Sequence, residues 1–196
     1  MDLELREESM AGLVEHARIP IAFEVNRILL VSVTDSGLGE FALSERKLDV
    51  SYLKDYDAID EEKPERWAQR FDLSNWGLFS AHSAARHLGG TVLAYNTKGV
   101  DMLEDRNDLA VIWDIRVHPD FRKQGIGSAL FRAAEAWAAE RVCRQLKVET
   151  QNTNVAACRF YARQGCLLGA INRFAYKEFP DETQLVWYKS LIPAGD

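Results

Sequence analysis

The chain has 196 residues, of which 47% are hydrophobic and 28% are charged, with a formal net charge of −6. This is the composition of an ordinary globular protein, long enough to bury one sizeable core. The acidic balance argues against a nucleic-acid partner, which needs a basic surface, and favours a small cationic one.

Membrane and metal partners are not expected either. The acidic start MDLELREESM has no signal-peptide core, and the apolar runs Ile28–Val33 and Leu109–Trp113 are too short to cross a bilayer, so we expect a cytoplasmic protein. The cysteines Cys143, Cys158 and Cys166 form no Cys-x-x-Cys pair, which predicts neither a disulfide framework nor a metal site.

The first third of the chain has weak patterns. Phe23–Val33 is predicted as a strand. The charged segment Glu40–Asp72 is predicted as loop and short helix, in which Pro64 favours the first turn of a helix through Trp67 and Phe71.

From Trp76 the pattern sharpens. Residues 76–95 predict two strands around a polar turn near Ser83–His87, and the charged loop Asp101–Asp108 leads to a buried strand, LAVIWDIRV. On that strand Asp114 and Arg116 share one face, and two polar residues on an otherwise apolar strand indicate that this face lines a cleft.

The remaining elements alternate. Ile126, Leu130, Ala134 and Trp137 recur at helical spacing, and RQLKVETQN predicts a further strand. Asn154 opens a second helix, Val155–Gln164, which Gly165 ends, and the strands Cys166–Tyr176 and Gln184–Leu191 flank a turn at EFPDE. We predict a mixed α/β fold in one domain, 1–196, with an N-terminal segment, residues 1–75, and a core, residues 76–191.

The stretch VHPDFRKQGIGSALF places two glycines where a strand and loop lead into a helix. That geometry presents backbone N–H groups to an anion, and Gly125 and Gly127 keep the approach clear while Arg122 and Lys123 add positive charge. The spacing matches neither a P-loop nor a Rossmann fingerprint.

The pattern Arg122-x-x-Gly125-x-Gly127 resembles the acetyl-CoA pyrophosphate loop of the GNAT superfamily of N-acyltransferases. Val117-His118-Pro119 before it, and Asn154, Ala157, Tyr161 and Gly165 after it, resemble the same superfamily in order and spacing. The resemblance implies a central, mostly antiparallel twisted sheet flanked by helices, and acetyl-CoA as cosubstrate without a metal. The coenzyme-binding residues that it implies are Ile115, Arg116, Val117, Arg122, Lys123, Gln124, Gly125, Ile126, Gly127, Ser128, Asn154, Ala157 and Tyr161.

Direct acetyl transfer to an amine in a ternary complex needs a base for the ammonium proton and benefits from an acid at the leaving thiolate. The resemblance implies Tyr161 as the acid. Glu149 lies twelve residues before Tyr161, a spacing that resembles that of the base in GNAT enzymes that acetylate protein N-termini, and it is therefore the favoured base. Asp114 is the rival, with Arg116 or Lys147 as its expected partner. A relayed water is a third possibility.

The stretches RFDLSNWGLFSA, LAVIWDIRVHPDFRKQGIGSALF and ETQNTNVAACRFYARQGCLLGAINRFAY resemble the streptothricin acetyltransferase branch of the superfamily. This resemblance implies acetylation of a β-lysine amine on a small polycation. Asp114, Glu149 and the acidic run Asp55–Glu62 could supply negative charge, and Trp76 and Trp113 could form the cleft wall, although solvated surface and core packing are the alternatives. An enzyme with a protein amine as acceptor and a non-catalytic acetyl-CoA-binding module remain the alternative functions, and the chain is expected to be a monomer or homodimer.

Overall fold

The apolar run predicted as a buried strand, Leu109–Val117, is a strand in a computed structural model that describes residues 2–59 and 62–192. The described strands are β1 (Glu4–Glu8), β2 (Phe23–Val33), β3 (Phe41–Lys54), β4 (Gly77–Ser83), β5 (Arg86–Tyr95), β6 (Leu109–Val117), β7 (Gln145–Gln151), β8 (Leu167–Asn172) and β9 (Gln184–Ser190). The described α-helices are α1 (Leu13–Ala17), α2 (Trp67–Arg70), α3 (Ile126–Glu140) and α4 (Val155–Arg163).

Two sheets are present among these residues. The larger has the strand order β1-β4-β5-β6-β7-β9-β8, and the smaller is the pair β2-β3. The pairs β1–β4, β4–β5, β5–β6 and β8–β9 are antiparallel, whereas β6 and β7 are parallel because α3 connects them. The predicted mixed α/β class with a mostly antiparallel sheet is confirmed.

The chain divides into two compact units. The first takes in the described residues of Met1–Ala22, Asp55–Val148 and Lys189–Asp196, and the second takes in Phe23–Lys54 and Glu149–Tyr188. These boundaries differ from the predicted division at residue 75, and the organisation as one domain over 1–196 stays a prediction.

Helix α3 buries the face that its periodicity predicted. Ile126, Leu130, Ala134 and Trp137 are all buried, as expected for an apolar stripe that repeats every three to four residues. The indole of Trp137 lies so close to Gly77 that a Cβ there would come within 2.6 Å of it. Helix α3 therefore packs against β4 with no room for a side chain at residue 77.

The second predicted helix is also confirmed. α4 begins after Asn154 and ends at Arg163, and Gly165 follows with a φ of +78°, the left-handed conformation expected of a residue that ends a helix. The strand predicted as Cys166–Tyr176 is shorter in the structure, where it spans Leu167–Asn172.

The prediction of loop and short helix for Glu40–Asp72 is wrong over most of its first half. Residues Phe41–Lys54 form β3, a fourteen-residue strand that pairs with β2. The apolar alternation changes phase within this strand because its register with β2 shifts where Val25 pairs with Tyr52 and Arg27 pairs with Lys47. Most of β3 is exposed to solvent, so its charged residues are compatible with a strand and do not indicate a loop.

Candidate coenzyme and acetyl-transfer site

The loop between β6 and α3 has the geometry of an anion site. Lys123 and Gly125 have φ values of +63° and +87°, and the backbone turns there so that α3 begins at Ile126. The first hydrogen bond of the helix runs from the Ala129 N–H to the Gly125 carbonyl at 3.0 Å. The backbone N–H groups of residues 126–128 therefore come before the first i to i−4 hydrogen bond of α3.

The start of helix α3 has no negative charge in its own first turn. Its N-cap residue makes no side-chain hydrogen bond, its first turn has no acidic residue, and a Cβ built on Gly125 would meet no described atom within 4 Å beyond Gly125 and its chain neighbours. The positive end of a fifteen-residue helix and the space at Gly125 fit a pyrophosphate group.

Arg122, the first residue of the motif, directs its side chain to the backbone. Its Nε donates to the Val117 carbonyl at 3.0 Å, and its Nη2 donates to the carbonyls of Ala22 and Pro20 at 3.2 and 3.4 Å. Burial lowers the pKa of this guanidinium. Its donors are directed to carbonyl oxygens, whereas the neighbouring Lys123 and Gln124 are exposed.

Strand β6 extends beyond its ladder with β7. That ladder runs from Leu109–Gln145 to Ile112–Val148, whereas β5 remains paired with β6 as far as Gly89–Val117. On one edge of β6, residues 113–117 therefore lie beside β5. On the other edge, they lie beyond the last residue pair that β6 forms with β7. This stretch includes Ile115, Arg116 and Val117, for which the family resemblance predicts pairing with the pantetheine arm.

The predicted cleft face of β6 is buried, and the expectation that it lines a cleft is wrong. Asp114 and Arg116 are 8% and 3% exposed. The carboxylate of Asp114 accepts bonds from Arg116 Nε at 2.9 Å, from Arg116 Nη2 at 2.6 Å and from His16 Nε2 at 2.8 Å. The expected partnership with Arg116 is confirmed, and His16 from α1 completes the cover over this face.

Burial alone would raise the pKa of Asp114, but the charge and hydrogen bonds of Arg116, helped by His16, hold it well below its usual range. The other expected partner, Lys147, instead donates to Glu104 Oε1 at 2.6 Å and to the Met102 carbonyl at 2.9 Å.

Glu149 has a different environment within the second unit. Its carboxylate accepts one bond from the Tyr176 hydroxyl and one from Gln184 Nε2, each at 2.6 Å, and the side chain is only partly buried. Gln151 Nε2 in turn donates to the Tyr176 hydroxyl at 3.0 Å. Both donors to Glu149 are neutral, so its charge meets no cation through these contacts.

Sequence reasoning did not select Tyr176 or Gln184. They lie 27 and 35 residues from Glu149, Tyr176 in the connection between β8 and β9 and Gln184 at the start of β9. The one available signal was the position of Gln184 at the start of a predicted strand, which does not indicate a partner.

The residues of α4 that the resemblance selects begin with its cap. The Asn154 side chain accepts from the Ala157 N–H at 3.1 Å, as an ordinary N-cap does. Tyr161 lies further along the same helix and is 5% exposed. Its ring packs edge-on against Phe160, with the centroids 5.3 Å apart.

The two tryptophans expected at the acceptor cleft belong to an aromatic cluster in the first unit. Trp76 and Trp113 have ring centroids 5.3 Å apart, and Trp67 and Phe71 pack against both. Trp76 is buried and donates to Thr97, whereas Trp113 is partly exposed. Core packing accounts for Trp76, and Trp113 retains an accessible portion.

The acidic run Asp55–Glu62 is mostly engaged where it is described. Asp55 accepts from the Asp57 N–H at 3.1 Å, Asp57 accepts from Arg116 Nη1 at 2.9 Å, and Glu62 forms an exposed pair with Arg70. Asp60 and Glu61 lie outside the described residues.

The described part of the chain contains no group of three or more His, Cys, Asp or Glu side chains that could hold a metal ion. The three cysteines are unbonded to each other and buried. Across residues 2–59 and 62–192, none of the helices has the length and apolar character needed to span a membrane.

The chain is similar in sequence to known acetyltransferases. The family model described as "Acetyltransferase (GNAT) family" matches residues 48–166. Streptothricin acetyltransferase A of Bacillus subtilis strain 168 is 42% identical over 84 residues, which span 42% of this chain and 49%, or about half, of that protein. Streptothricin acetyltransferase of Escherichia coli is 33% identical over 169 residues, 85% of this chain and 84% of that one.

A solved structure is similar over nearly the whole chain. It is a provisionally named streptothricin acetyltransferase of Bacillus anthracis strain Ames, crystallised in complex with acetyl coenzyme A. It is 28% identical to this chain with a TM-score of 0.73, and the match covers 97% of this chain and 98% of that one.

Proposed function

This chain belongs to the GNAT acetyltransferase family and is an acetyl-CoA-dependent N-acetyltransferase, and we propose that its acceptor is a primary amine of a small cation, in the first place the β-lysine amine of streptothricin. The observation that carries the acceptor proposal is Glu149, a partly exposed carboxylate that is hydrogen-bonded only by neutral donors in the contacts described above. Such a group attracts an ammonium and can take a proton from it.

Acetyl-CoA is held first by backbone. The N–H groups at the start of α3 bind the pyrophosphate, with open space at Gly125 and no side chain at Gly127, and the β6 stretch from Ile115 to Val117 pairs with the pantetheine arm. Lys123, Gln124 and Ser128 lie at the same loop and helix start and complete the phosphate contacts.

The reaction is direct transfer in a ternary complex. An alkyl amine has a pKa of about 10.4 and is protonated at neutral pH, so Glu149 removes a proton before the nitrogen attacks the thioester carbonyl carbon. The new C–N bond forms, the carbon–sulfur bond breaks, and the sulfur leaves as coenzyme A. Tyr161, the tyrosine that the family resemblance assigns to this role, gives its hydroxyl proton to the departing thiolate. The nitrogen loses its second proton as the amide forms, and that proton restores the Tyr161 hydroxyl.

Glu149 is preferred to Asp114 as the base because of what each carboxylate faces. Asp114 accepts three bonds from Arg116 and His16 and is nearly fully buried, so a substrate amine would have to displace the Arg116 guanidinium and the His16 imidazole to reach it. Tyr176 and Gln184 orient the Glu149 carboxylate without neutralising it.

The acceptor is assigned from charge and relatives together. Streptothricin carries amines that are protonated at neutral pH, and the chain has a net charge of −6. The Bacillus subtilis relative, about half of which is matched, and the Escherichia coli relative, 84% of which is matched, are both named for streptothricin.

The test is thiol release from acetyl-CoA with streptothricin, free lysine, polyamines and an aminoglycoside as acceptors. Fast release with streptothricin alone supports the proposal. Release with another amine keeps the chemistry and rejects this acceptor, whereas binding of acetyl-CoA without release to any of them favours a protein acceptor or a binding module.

Three variants test the residue roles with the accepted amine. Glu149→Gln should lower kcat about 10²–10⁴-fold, the usual contribution of a positioned base. Glu140→Gln, whose side chain is 76% exposed, is the matched control and should keep full activity. Tyr161→Phe should lower kcat, and unchanged turnover across pH would remove the acid role.

A further inference from the structure

Two arginines six positions apart hold the same short segment of chain. The segment is Ile19–Ala22, which follows α1 and is named here the bracing segment. Arg116 Nη1 donates to the Ile19 carbonyl at 3.1 Å, and Arg122 Nη2 donates to the carbonyls of Pro20 and Ala22. One arginine comes from the coenzyme strand β6 and the other from the coenzyme loop.

Arg116 is fixed on both sides of its guanidinium. Asp114 accepts from its Nε and Nη2, while Asp57 accepts from its Nη1 at 2.9 Å and from its Nη2 at 3.4 Å. The arginine side chain is 1% exposed, and the two acids are 5% and 25% exposed. A planar fork held by two carboxylates has one orientation, so the bond to Ile19 is directed as well.

Arg122 carries this constraint to the loop. It binds the bracing segment through Nη2 and the end of β6 through Nε at Val117. Because Lys123 and Gly125 adopt left-handed backbone conformations directly after it, the direction in which α3 begins depends on where Arg122 is held.

We propose that Asp57, Arg116 and Arg122 are positioning residues for the coenzyme. They fix the bracing segment and, through it, the loop that presents the α3 N–H groups to the pyrophosphate. The inference rests on the proposed function for the identity of the ligand. It gives Asp57 a role in coenzyme binding, whereas its position in an acidic run would suggest attraction of the acceptor.

The test uses the full chain and Asp57→Asn, which keeps the side-chain size and weakens the hold on Arg116. The matched control is Asp108→Asn, since Asp108 also accepts from an arginine, Arg106, at 2.8 Å, just before the same strand. Asp57→Asn should weaken coenzyme A binding about 3- to 10-fold in calorimetry and raise the KM for acetyl-CoA equally, with kcat and the acceptor KM within twofold. Asp108→Asn should change none of these.

A second variant separates positioning from a general loss of structure. Arg122→Gln should weaken coenzyme A binding at least as much as Asp57→Asn does. In the double variant the Asp57→Asn change should add little, because both act through the bracing segment. The proposal is overturned if Arg122→Gln leaves coenzyme A binding unchanged. It is also overturned if the loss of coenzyme A affinity in the double variant equals the product of the losses in the two single variants.

The acceptor kinetics provide the remaining outcomes. If Asp57→Asn raises only the acceptor KM, Asp57 belongs to the acceptor site and the proposal is wrong. Because coenzyme A binding is measured without an amine, a weakened Asp57→Asn variant supports the proposal even if none of the amines tested proves to be a substrate. In that case only the proposed acceptor is rejected, and the positioning role of Asp57 stands.

Discussion

The buried carboxylate of Asp114 offers the sharpest test of the reasoning. Asp114→Asn removes its charge while keeping its size, and leaves the buried Arg116 guanidinium with Asp57 alone. The three bonds lost or weakened have lengths of 2.6–2.9 Å. Removing one partner of a buried pair costs about 3–5 kcal/mol, which is a large share of the roughly 5–15 kcal/mol that stabilise a typical protein.

The amide also introduces a repulsive contact. One carboxylate oxygen accepts only from Arg116 Nη2, at 2.6 Å, and the other accepts from both Arg116 and His16. An Asn side chain places an NH₂ group at one of these positions, where it faces a donor. We expect the midpoint of thermal unfolding to fall by roughly 6–20 °C, taking about 2–4 °C per kcal/mol for a chain of this size.

The Asp114 carboxylate also contributes to the way the free energy of unfolding depends on pH in acid. Its pKa is lower in the folded protein than in the unfolded chain, so the unfolded state binds more protons and the stabilisation is complete only above the unfolded value of about 3.9. As pH falls through the lowered folded value the stabilisation is lost. Urea unfolding of the wild-type chain should therefore show a steeper decline below about pH 4 than Asp114→Asn shows.

The refuting results are specific. A loss of less than about 1 kcal/mol in urea would mean that the buried pair contributes no more than an exposed one. A folded Asp114→Asn variant with collapsed kcat and a changed pH–rate profile, together with an active Glu149→Gln variant, would make Asp114 the base. Asp108→Asn, at a more exposed arginine pair, serves as the control and should unfold close to wild type.

Further predictions concern packing, helix capping and thiol reactivity. Gly90→Ala should destabilise by about 1–3 kcal/mol, because a Cβ there would lie 2.6 Å from His16 Nδ1 and 2.8 Å from a backbone carbonyl, and an unchanged melting temperature would contradict this contact. Asn154→Ala should cost about 1 kcal/mol in urea unfolding by removing the cap of α4, and Asn154→Asp should restore most of it if capping is the cause. Burial raises the pKa of Cys143 to about 11 and of Cys158 to about 12, so neither should react quickly with a chromogenic thiol reagent at pH 8, whereas the unfolded chain should titrate three thiols. Rapid labelling of the native protein at either position would show that it opens more readily than its burial suggests.

The elements that the sequence predicts well are those with strong local periodicity. The bounds predicted for β6 agree with the structure, and α3 includes the whole predicted helical repeat from Ile126 to Trp137. Strand β3 was missed because it belongs to an exposed pair and shifts register, so neither its polarity nor its alternation is that of a half-buried strand.

The buried face of β6 was misread for a different reason. Polar residues on a core strand indicate either a cleft or a buried ion pair, and the choice depends on what covers them. Here His16 covers Asp114 from 98 residues away, and Asp57 meets Arg116 from 59 residues away. Local patterns contain no information about contacts at that separation. The pairing of Asp114 with Arg116, two residues apart, was one of two pairings that the sequence suggested, and the structure selects it over the pairing with Lys147.

The net charge of −6 therefore does not identify an acceptor site by itself. In the first unit Asp114 and Asp57 both face Arg116, and Glu104 faces Lys147, so each of these carboxylates has a cationic partner. In the second unit Glu149 is bonded by a phenol and an amide, neither of which carries charge. A carboxylate in that condition retains its attraction for an ammonium and is free to accept the ammonium's proton. Glu149 differs from Asp57, Asp114 and Glu104 in the neutrality of its partners, and this follows from contacts 27 and 35 residues apart that only the folded chain brings together.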